Sequence, residues 1–452
     1  APKQARGTRG SKLSAKYEGS FAYKTLKDRL PVILSKAVDT LCREKHNIDK
    51  TYGHEACEES KTVIGRLSKL RNEIVTNKAV LRIEDDFQDA QLWNEYLSNY
   101  TEKYRTEPKW FEAPWLYVEC YMYRRVFEAF RLTKLLQSYD PFRLQKEDAL
   151  TRSLDAIQIL ADFMKKNMRK EATLETLQPL VRRLVQVSLW GNRCDLSLSE
   201  GVAVAVPASA LPFGASERDA EAAASNLLCD NFSQLWRKLC DCREKTSQSE
   251  GGDSQHSASI HIVLDNAGYE FVSDLALLDY LHETGFMGRA TLHVKAMPWY
   301  VSDVTRQDLL QTIPCLEASD HEATAGLASR CRSRIDEGTW VVEDDIFWTT
   351  PHAYYIMKTL RQDLYARLAE ADLIVFKGDL NYRKLVGDRA WKPEMPFVAA
   401  LQGFVPTTLC VLRTIKADTV VGLEEGVAEM AAARSPDWMT TGQFALLQCA
   451  VR

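Results

Sequence analysis

From Ser259 onward the chain alternates short β-rich apolar runs with helical stretches, and this alternation restricts the fold more than any other feature of the 452 residues. Ile260 to Leu264, Thr291 to Ala296, Leu373 to Phe376 and Leu409 to Leu412 read as strands. Phe271 to His282, the segment Ser302 to Thr312 and Tyr354 to Leu368 read as helices between them. Parallel neighbours need a crossover long enough to return to the same end of a sheet, and a helix is the usual crossover. The pattern therefore predicts an α/β fold whose mainly parallel sheet is covered on both faces.

The preceding part has a different character. From about Phe21 to Leu189 apolar residues recur at helix-face spacing, as in Leu26, Leu30, Ile33, Leu34, Ala37, Val38 and Leu41, and glycine is nearly absent. We expect a basic, disordered tail over 1–18, an all-helical domain over 19–187 and an α/β domain over 188–452. A helical stretch is expected from Glu217 to Lys245, and the polar run 246–259 as a flexible loop. An aromatic-rich block, Trp110 to Phe130, contains Glu119 and Arg124. Its arginines either pair with acids inside a buried helix or present a charged face that closes a site.

Composition narrows the function classes. A hydrophobic content of 45% and a charged content of 27% are ordinary for a globular protein, and a net charge of -4 offers no general attraction to nucleic acid or acidic membranes. No apolar run approaches the ~20 residues that span a bilayer; the longest, Val202 to Phe213, is broken by Pro207 and Pro212. The eleven cysteines have no paired zinc spacing, so free thiols in a cytoplasmic protein, with the nucleus as second compartment, are expected. The phosphate loop, the dinucleotide-binding turn, the serine nucleophile elbow and the histidine zinc motifs are all absent from the sequence. Oxygen ligands remain, and these suit Mg²⁺ or Mn²⁺ better than zinc or copper.

Such oxygens occur where the predicted strands end. Asp265-Asn266 follows the first run, Asp303 follows the second, and Lys377-Gly378-Asp379-Leu380-Asn381 follows the third. Asp and Asn are favoured helix caps, which accounts for any one of these clusters. Several at the carboxyl ends of one sheet point instead to a shared binding crevice. Lys377 and Lys416 either snorkel to solvent or hold a phosphate oxygen, and Gly378 would let backbone N–H groups approach such an anion.

At these residues the chain resembles the metal-dependent damage-control phosphatases. The resemblance spans nearly the whole sequence: Gly19-Ser20-Phe21-Ala22-Tyr23, Lys27-Asp28-Arg29, Pro114-Trp115-Leu116, Tyr123-Arg124-Arg125, Leu189-Trp190-Gly191-Asn192, Leu264-Asp265-Asn266-Ala267-Gly268 and Lys377 to Leu385. Arg413-Thr414-Ile415-Lys416 is similar to the RTxK signature of the eukaryotic sugar-phosphate subgroup. The resemblance implies a helical amino-terminal domain packed on a three-layer α/β/α domain. It further implies a divalent metal (Mn²⁺, Co²⁺ or Ni²⁺, with Mg²⁺ as a further option) held by Asp265, Asn266 and Asp303. Asp265, Asp303 and Asp379 would be catalytic. Asp265, Asn266, Lys377, Gly378, Asp379, Leu380, Asn381 and Lys416 would contact substrate, a small sugar phosphate such as fructose 1-phosphate or fructose 6-phosphate. Glu119, Arg124, Asn192 and Asp195 are candidates for the sugar end. Similar members are also described as S-adenosylmethionine-dependent protein-glutamate O-methyltransferases acting on the DNA sliding clamp. That is the alternative activity and the alternative partner.

Overall fold

The computed structural model describes residues 10–169, 172–191, 225–249 and 256–452. Asn192, Asp195 and the Val202 to Phe213 run lie outside the described residues. Seven strands form one sheet: β1 (Leu227–Asp230), β2 (Ser259–Val263), β3 (Arg289–His293), β4 (Trp340–Glu343), β5 (Leu373–Lys377), β6 (Leu409–Thr414) and β7 (Ala445–Ala450), in the order β1-β7-β6-β5-β2-β3-β4. From β6 to β4 every neighbouring pair is parallel; β7 runs antiparallel to β6, and β1 runs with β7.

Side chains on successive residues of a strand point to opposite faces, and the core divides accordingly. Ile260 and Ile262 of β2, Val375 of β5 and Cys410 and Leu412 of β6 face one apolar layer; it includes residues of the helices Leu154–Asn167, Leu174–Gly191 and Tyr269–Glu283. Val263, Ile374, Phe376, Leu409 and Val411 face the other, with Tyr354, Leu364, Tyr382 and Phe397. β2, β5, β6 and β7 are buried along their whole length, as strands covered on both faces must be. The architecture is thus the expected three-layer α/β/α arrangement with helices preceding it.

A third core joins the amino-terminal helices to the carboxyl ends of the strands. It runs from Leu13 to Phe142 and includes Trp299, Tyr300 and Val301 after β3, Leu380 after β5 and Ala417 after β6. The helical unit therefore sits over the strand ends rather than beside the sheet. The boundary expected at 187 is displaced: Leu154–Asn167 and Leu174–Gly191 share the core of the sheet, because their apolar faces meet Phe271, Leu275 and Leu278.

Three further expectations are corrected. The tail expected over 1–18 is structured from Gly10: Leu13 and Ala15 are 2% and 0% exposed, Gly10 N donates to Ala390 O at 2.9 Å and Leu13 N to Asp388 O at 2.9 Å. The basic composition concealed those two apolar anchors. Of the helix expected from Glu217 to Lys245, the first part lies outside the described residues; within them Leu227 to Asp230 form a strand that pairs with β7, and a helix runs from Phe232 to Gln248. The loop expected over 246–259 is ordered at both ends: one helix runs to Gln248, and Ser257 and Ala258 are buried beside β2. Among the described residues no helix is long and apolar enough to cross a membrane, and the described cysteines are free thiols.

Candidate active site

The chain builds β2, β3 and β4 outward in one direction, then crosses back to place β5 and β6 on the other side of β2. The order reverses between β2 and β5, and in open α/β sheets a ligand crevice forms outside the carboxyl ends at such a reversal. Here the crevice is a cleft with about 430 Å³ of empty space, open to solvent.

The loops after β2 and β3 are sewn together over it. Ala267 N donates to Ser302 O at 2.7 Å and Val304 N to Asp265 O at 2.8 Å, while Asn266 and Asp303 pair as an isolated bridge. Asp265, Asn266 and Asp303 are thereby brought together, each buried. The turn that aims Asp303 is strained: Tyr300 and Val301 have φ of 45° and 69°, and Ser302 N bonds back to Tyr300 O at 2.9 Å. A β-branched residue at positive φ is costly, so the surrounding packing must enforce this geometry.

Gly378 follows β5 with φ +82°, and a Cβ there would lie 1.8 Å from Asp265 Oδ2. Glycine is required so that the Asp265 carboxylate can occupy that space. This steric reason stands beside the expected one, close approach of an anion. Asp379 lines the cleft, and its Oδ1 accepts from Arg413 Nε at 2.8 Å and from Lys416 N at 3.0 Å. In the RTxK segment, Arg413 thus fixes Asp379 while Lys416 lines the cleft.

Lys377 and Asn381 are brought next to the cleft but turned away from it. The Lys377 ammonium donates to Ser188 O at 2.7 Å and lies 3.0 Å from Glu270 and 2.9 Å from Asp274. Burial alone would lower its pKa; the two carboxylates outweigh that and hold it above the ordinary lysine value. The Asn381 amide donates to Lys377 O at 2.7 Å and accepts from the Tyr354 hydroxyl, which staples strand ends. As placed, both are positioning groups, and Leu380 between them lines the cleft.

The opposite wall comes from the helical unit. Trp115 and Glu119 share one face of the helix Trp115–Arg131 at i, i+4 spacing, and both line the cleft. Arg124, expected near the sugar end, is elsewhere: it is 0% exposed and grips Asp85 at 2.6 and 2.7 Å and Asp89 at 2.9 Å. Its position puts it on another face of that helix. Sequence reading missed Arg383, Arg29, Phe21 and Tyr300, which also line the cleft. Arg383 donates to Glu119 Oε2 at 2.6 Å and to Asp388 Oδ1 at 2.8 Å and stacks 3.6 Å from the Trp115 ring. The i, i+4 spacing of Asp379 and Arg383 could have revealed it. Burial drives the Tyr300 hydroxyl pKa well up; it donates to Glu119 at 3.1 Å as a neutral phenol.

The metal implied by the resemblance can be tested against these donors. Two buried carboxylates and an amide are hard oxygen ligands, appropriate to a small dication. Among the described residues no three His, Cys, Asp or Glu form a complete cage. Asn266, water and a substrate phosphate would have to complete the shell, as is usual for Mg²⁺-type sites. The Asn266 amide here gives its oxygen to Ser302 and its nitrogen to Asp265 Oδ2 at 3.0 Å, so ligation requires the amide to turn over. The cleft is lined by Glu119, Asp265, Asp303 and Asp379 and by Arg29, Arg383 and Lys416, and two further cations stand behind it, Lys295 at 3.0 Å from Asp303 and Arg413 at 2.7 Å from Asp379. A dication on Asp265 and Asp303 would add positive charge and make the cleft more attractive to a phosphate. The residues fit the ion.

The damage-control phosphatase ARMT1-like domain model matches residues 25–431. Curated proteins named damage-control phosphatase ARMT1 align along nearly the whole chain. The protein from Danio rerio is 43% identical, with 96% of each chain covered. That from Mus musculus is 40% identical, covering 96% of this chain and 97% of its own, and that from Homo sapiens is 39% identical with the same coverage.

Proposed function

The chain belongs to the damage-control phosphatase ARMT1-like family, and from that premise we propose that it hydrolyses small sugar phosphates such as fructose 1-phosphate and fructose 6-phosphate with a divalent metal. The observation that carries this reading is the meeting of Asp265, Asp303, Asp379 and Lys416 at one sheet reversal. Carboxylates alone would repel a phosphate, and cations alone would bind it without activating water; the cleft has both.

Asp265, Asp303 and Asn266 would hold the ion. When bound, it supplies neutralisation of charge on the transferring phosphoryl group. The chain's own groups divide the remaining work. Lys416 and Arg29 hold phosphate oxygens. Asp379 is fixed through Oδ1 by Arg413, which leaves its second oxygen to orient an attacking water and accept its proton. Glu119, tied to Tyr300 and Arg383, offers a fixed carboxylate to sugar hydroxyls. Trp115 and Phe21 are apolar walls of the cleft and limit the water beside the substrate.

The test is phosphate release from fructose 1-phosphate and fructose 6-phosphate by the full chain, with Mn²⁺, Co²⁺, Ni²⁺ or Mg²⁺ and with chelator. Release that stops with chelator and returns with metal supports the proposal. Equal release with and without chelator refutes the metal, and no release from any phosphorylated sugar refutes the substrate class.

A further inference from the structure

A second cavity lies behind the start of the helix Trp115–Arg131, with about 1050 Å³ of empty space, solvent at its mouth included. Pro114 and Leu116 line it, whereas Trp115 between them lines the catalytic cleft, so one turn of chain separates the two spaces. Small-molecule sites are commonly concave and built from aromatic walls with a few polar groups.

Its lining has a definite chemistry. Tyr96, Tyr100, Tyr117 and Tyr355 are part of the wall, with the Tyr96 and Tyr117 rings 4.4 Å apart between centroids. Burial pushes the Tyr96 and Tyr117 hydroxyl pKa values up and keeps both neutral, so each can donate a hydrogen bond. Lys12 and Lys103 also line the cavity and lie close enough to depress the Lys12 pKa further than burial and Arg389 already do. Neither lysine forms a salt bridge among the described residues; the Lys103 ammonium lies 5.2 Å from the Tyr104 ring.

The remaining polar groups offset that charge only in part. Asp388, the lining carboxylate, is committed to Arg383 at 2.8 and 3.2 Å and to Leu116 N at 3.1 Å. His352 sits edge-on to Tyr96 at 5.3 Å and is neutral, its pKa lowered to about 4 by burial and then by Lys384 and Lys12. The cavity thus presents aromatic faces, phenol donors and two ammonium groups of like charge that a single anion would relieve.

We propose that this cavity is a binding site, separate from the catalytic cleft, for a flat aromatic molecule carrying one anionic group, its ring against Tyr96 and Tyr117 and its anion held by Lys12 and Lys103. Binding there does not depend on the activity assigned to the cleft.

The probe is naphthalene-1-sulfonate, which contains no phosphate to hydrolyse, titrated into the full chain by calorimetry. Saturable binding at a single site per chain is expected. A Lys12→Glu, Lys103→Glu double variant should bind about tenfold or more weakly, and the neutral naphthalene-1-methanol should bind the wild type with a similar deficit. Leu360→Trp, which fills the cavity, should abolish binding, while phosphate release by the lysine variant stays at the wild-type level and reports an intact fold. No saturable binding at millimolar probe, or equal affinity in the lysine variant, overturns the proposal. So does binding that is lost in Lys416→Glu and kept in Leu360→Trp, since the probe would then occupy the cleft.

Discussion

Two buried guanidinium–carboxylate clusters in this molecule have opposite outcomes. In the helical unit Arg124 is enclosed by Asp85 and Asp89, and the side chains of all three are at most 1% exposed. Beneath the cleft Arg383 is equally buried and grips Asp388 and Glu119, but Glu119 shares a solvent-open space with Asp265, Asp303 and Asp379. The first cluster closes on itself; the second ends in carboxylates that face a cavity. Burial of charge therefore does not identify a site. Charged groups that line a solvent-open cleft at strand ends, where a ligand can reach them, do.

The largest effect expected from this contrast is at Asp265. Asp265→Asn keeps the shape of the side chain and removes the charge that an ion requires, so phosphate release should fall by about a thousandfold or more. Urea unfolding should move little, because the site is built for an added partner. An Asp265→Asn variant with near wild-type hydrolysis would remove it from the metal site. Arg124→Met should show the reverse. Breaking a fully buried pair strands Asp85 and Asp89 and costs about 3–5 kcal/mol of stability, while kcat/KM of the folded fraction is kept. If activity collapsed and stability did not, the two clusters would have to exchange roles.

Gly378→Ala tests both at once and lies between them in size. The added Cβ meets Asp265 Oδ2 at 1.8 Å on a backbone already at φ +82°. Strain of about 1–3 kcal/mol is expected, together with an activity loss of about 10- to 100-fold as the carboxylate is displaced. Denaturation and phosphate release on the same preparation separate the two.

Which part of this was legible follows from what periodicity can carry. The central strands and the carboxylates after them were readable because strand ends are local: Asp265, Asn266, Asp303, Asp379 and Lys416 are adjacent to apolar runs and meet in the cleft or at its edge. The direction a side chain takes was not. Lys377 and Asp379 are two residues apart, yet one turns into the core toward Glu270 and Asp274 and the other toward the cleft. Arg124 and Glu119 stood together in sequence because both belong to one aromatic block; helical geometry separates them. Arg29, Arg383 and Tyr300 depended on how the helical unit docks, and that docking is a contact of distant segments with no local signature. β1 was hidden because its four residues run directly into the helical pattern of Phe232 to Leu239.

The smallest expected effect concerns groups on the sheet side that stay neutral while the cleft stays charged. His261 and His282 each have a pKa lowered to about 4, by burial first and then by nearby arginines. An unfolded histidine titrates near about 6.5. Between these values the unfolded chain binds protons that the folded chain refuses, so stability present above pH 6.5 is lost as the pH falls toward 4, by at most about 1.4 kcal/mol per pH unit for each histidine. Asp274 works in the opposite sense. Burial raises its carboxyl to about 6, so the folded form holds a proton that the unfolded form releases, and stability is gained as the pH falls through that range. The whole-protein slope mixes both signs, and only a difference isolates one group. His282 accepts from the Trp340 indole at 3.3 Å, a bond that an asparagine oxygen can replace. His282→Asn should therefore flatten the acid limb of urea-unfolding free energy by up to one proton between pH 6.5 and 4.5. An unchanged slope would mean that His282 is protonated in the folded protein, and that Glu283 and Asp279 beside it outweigh its burial.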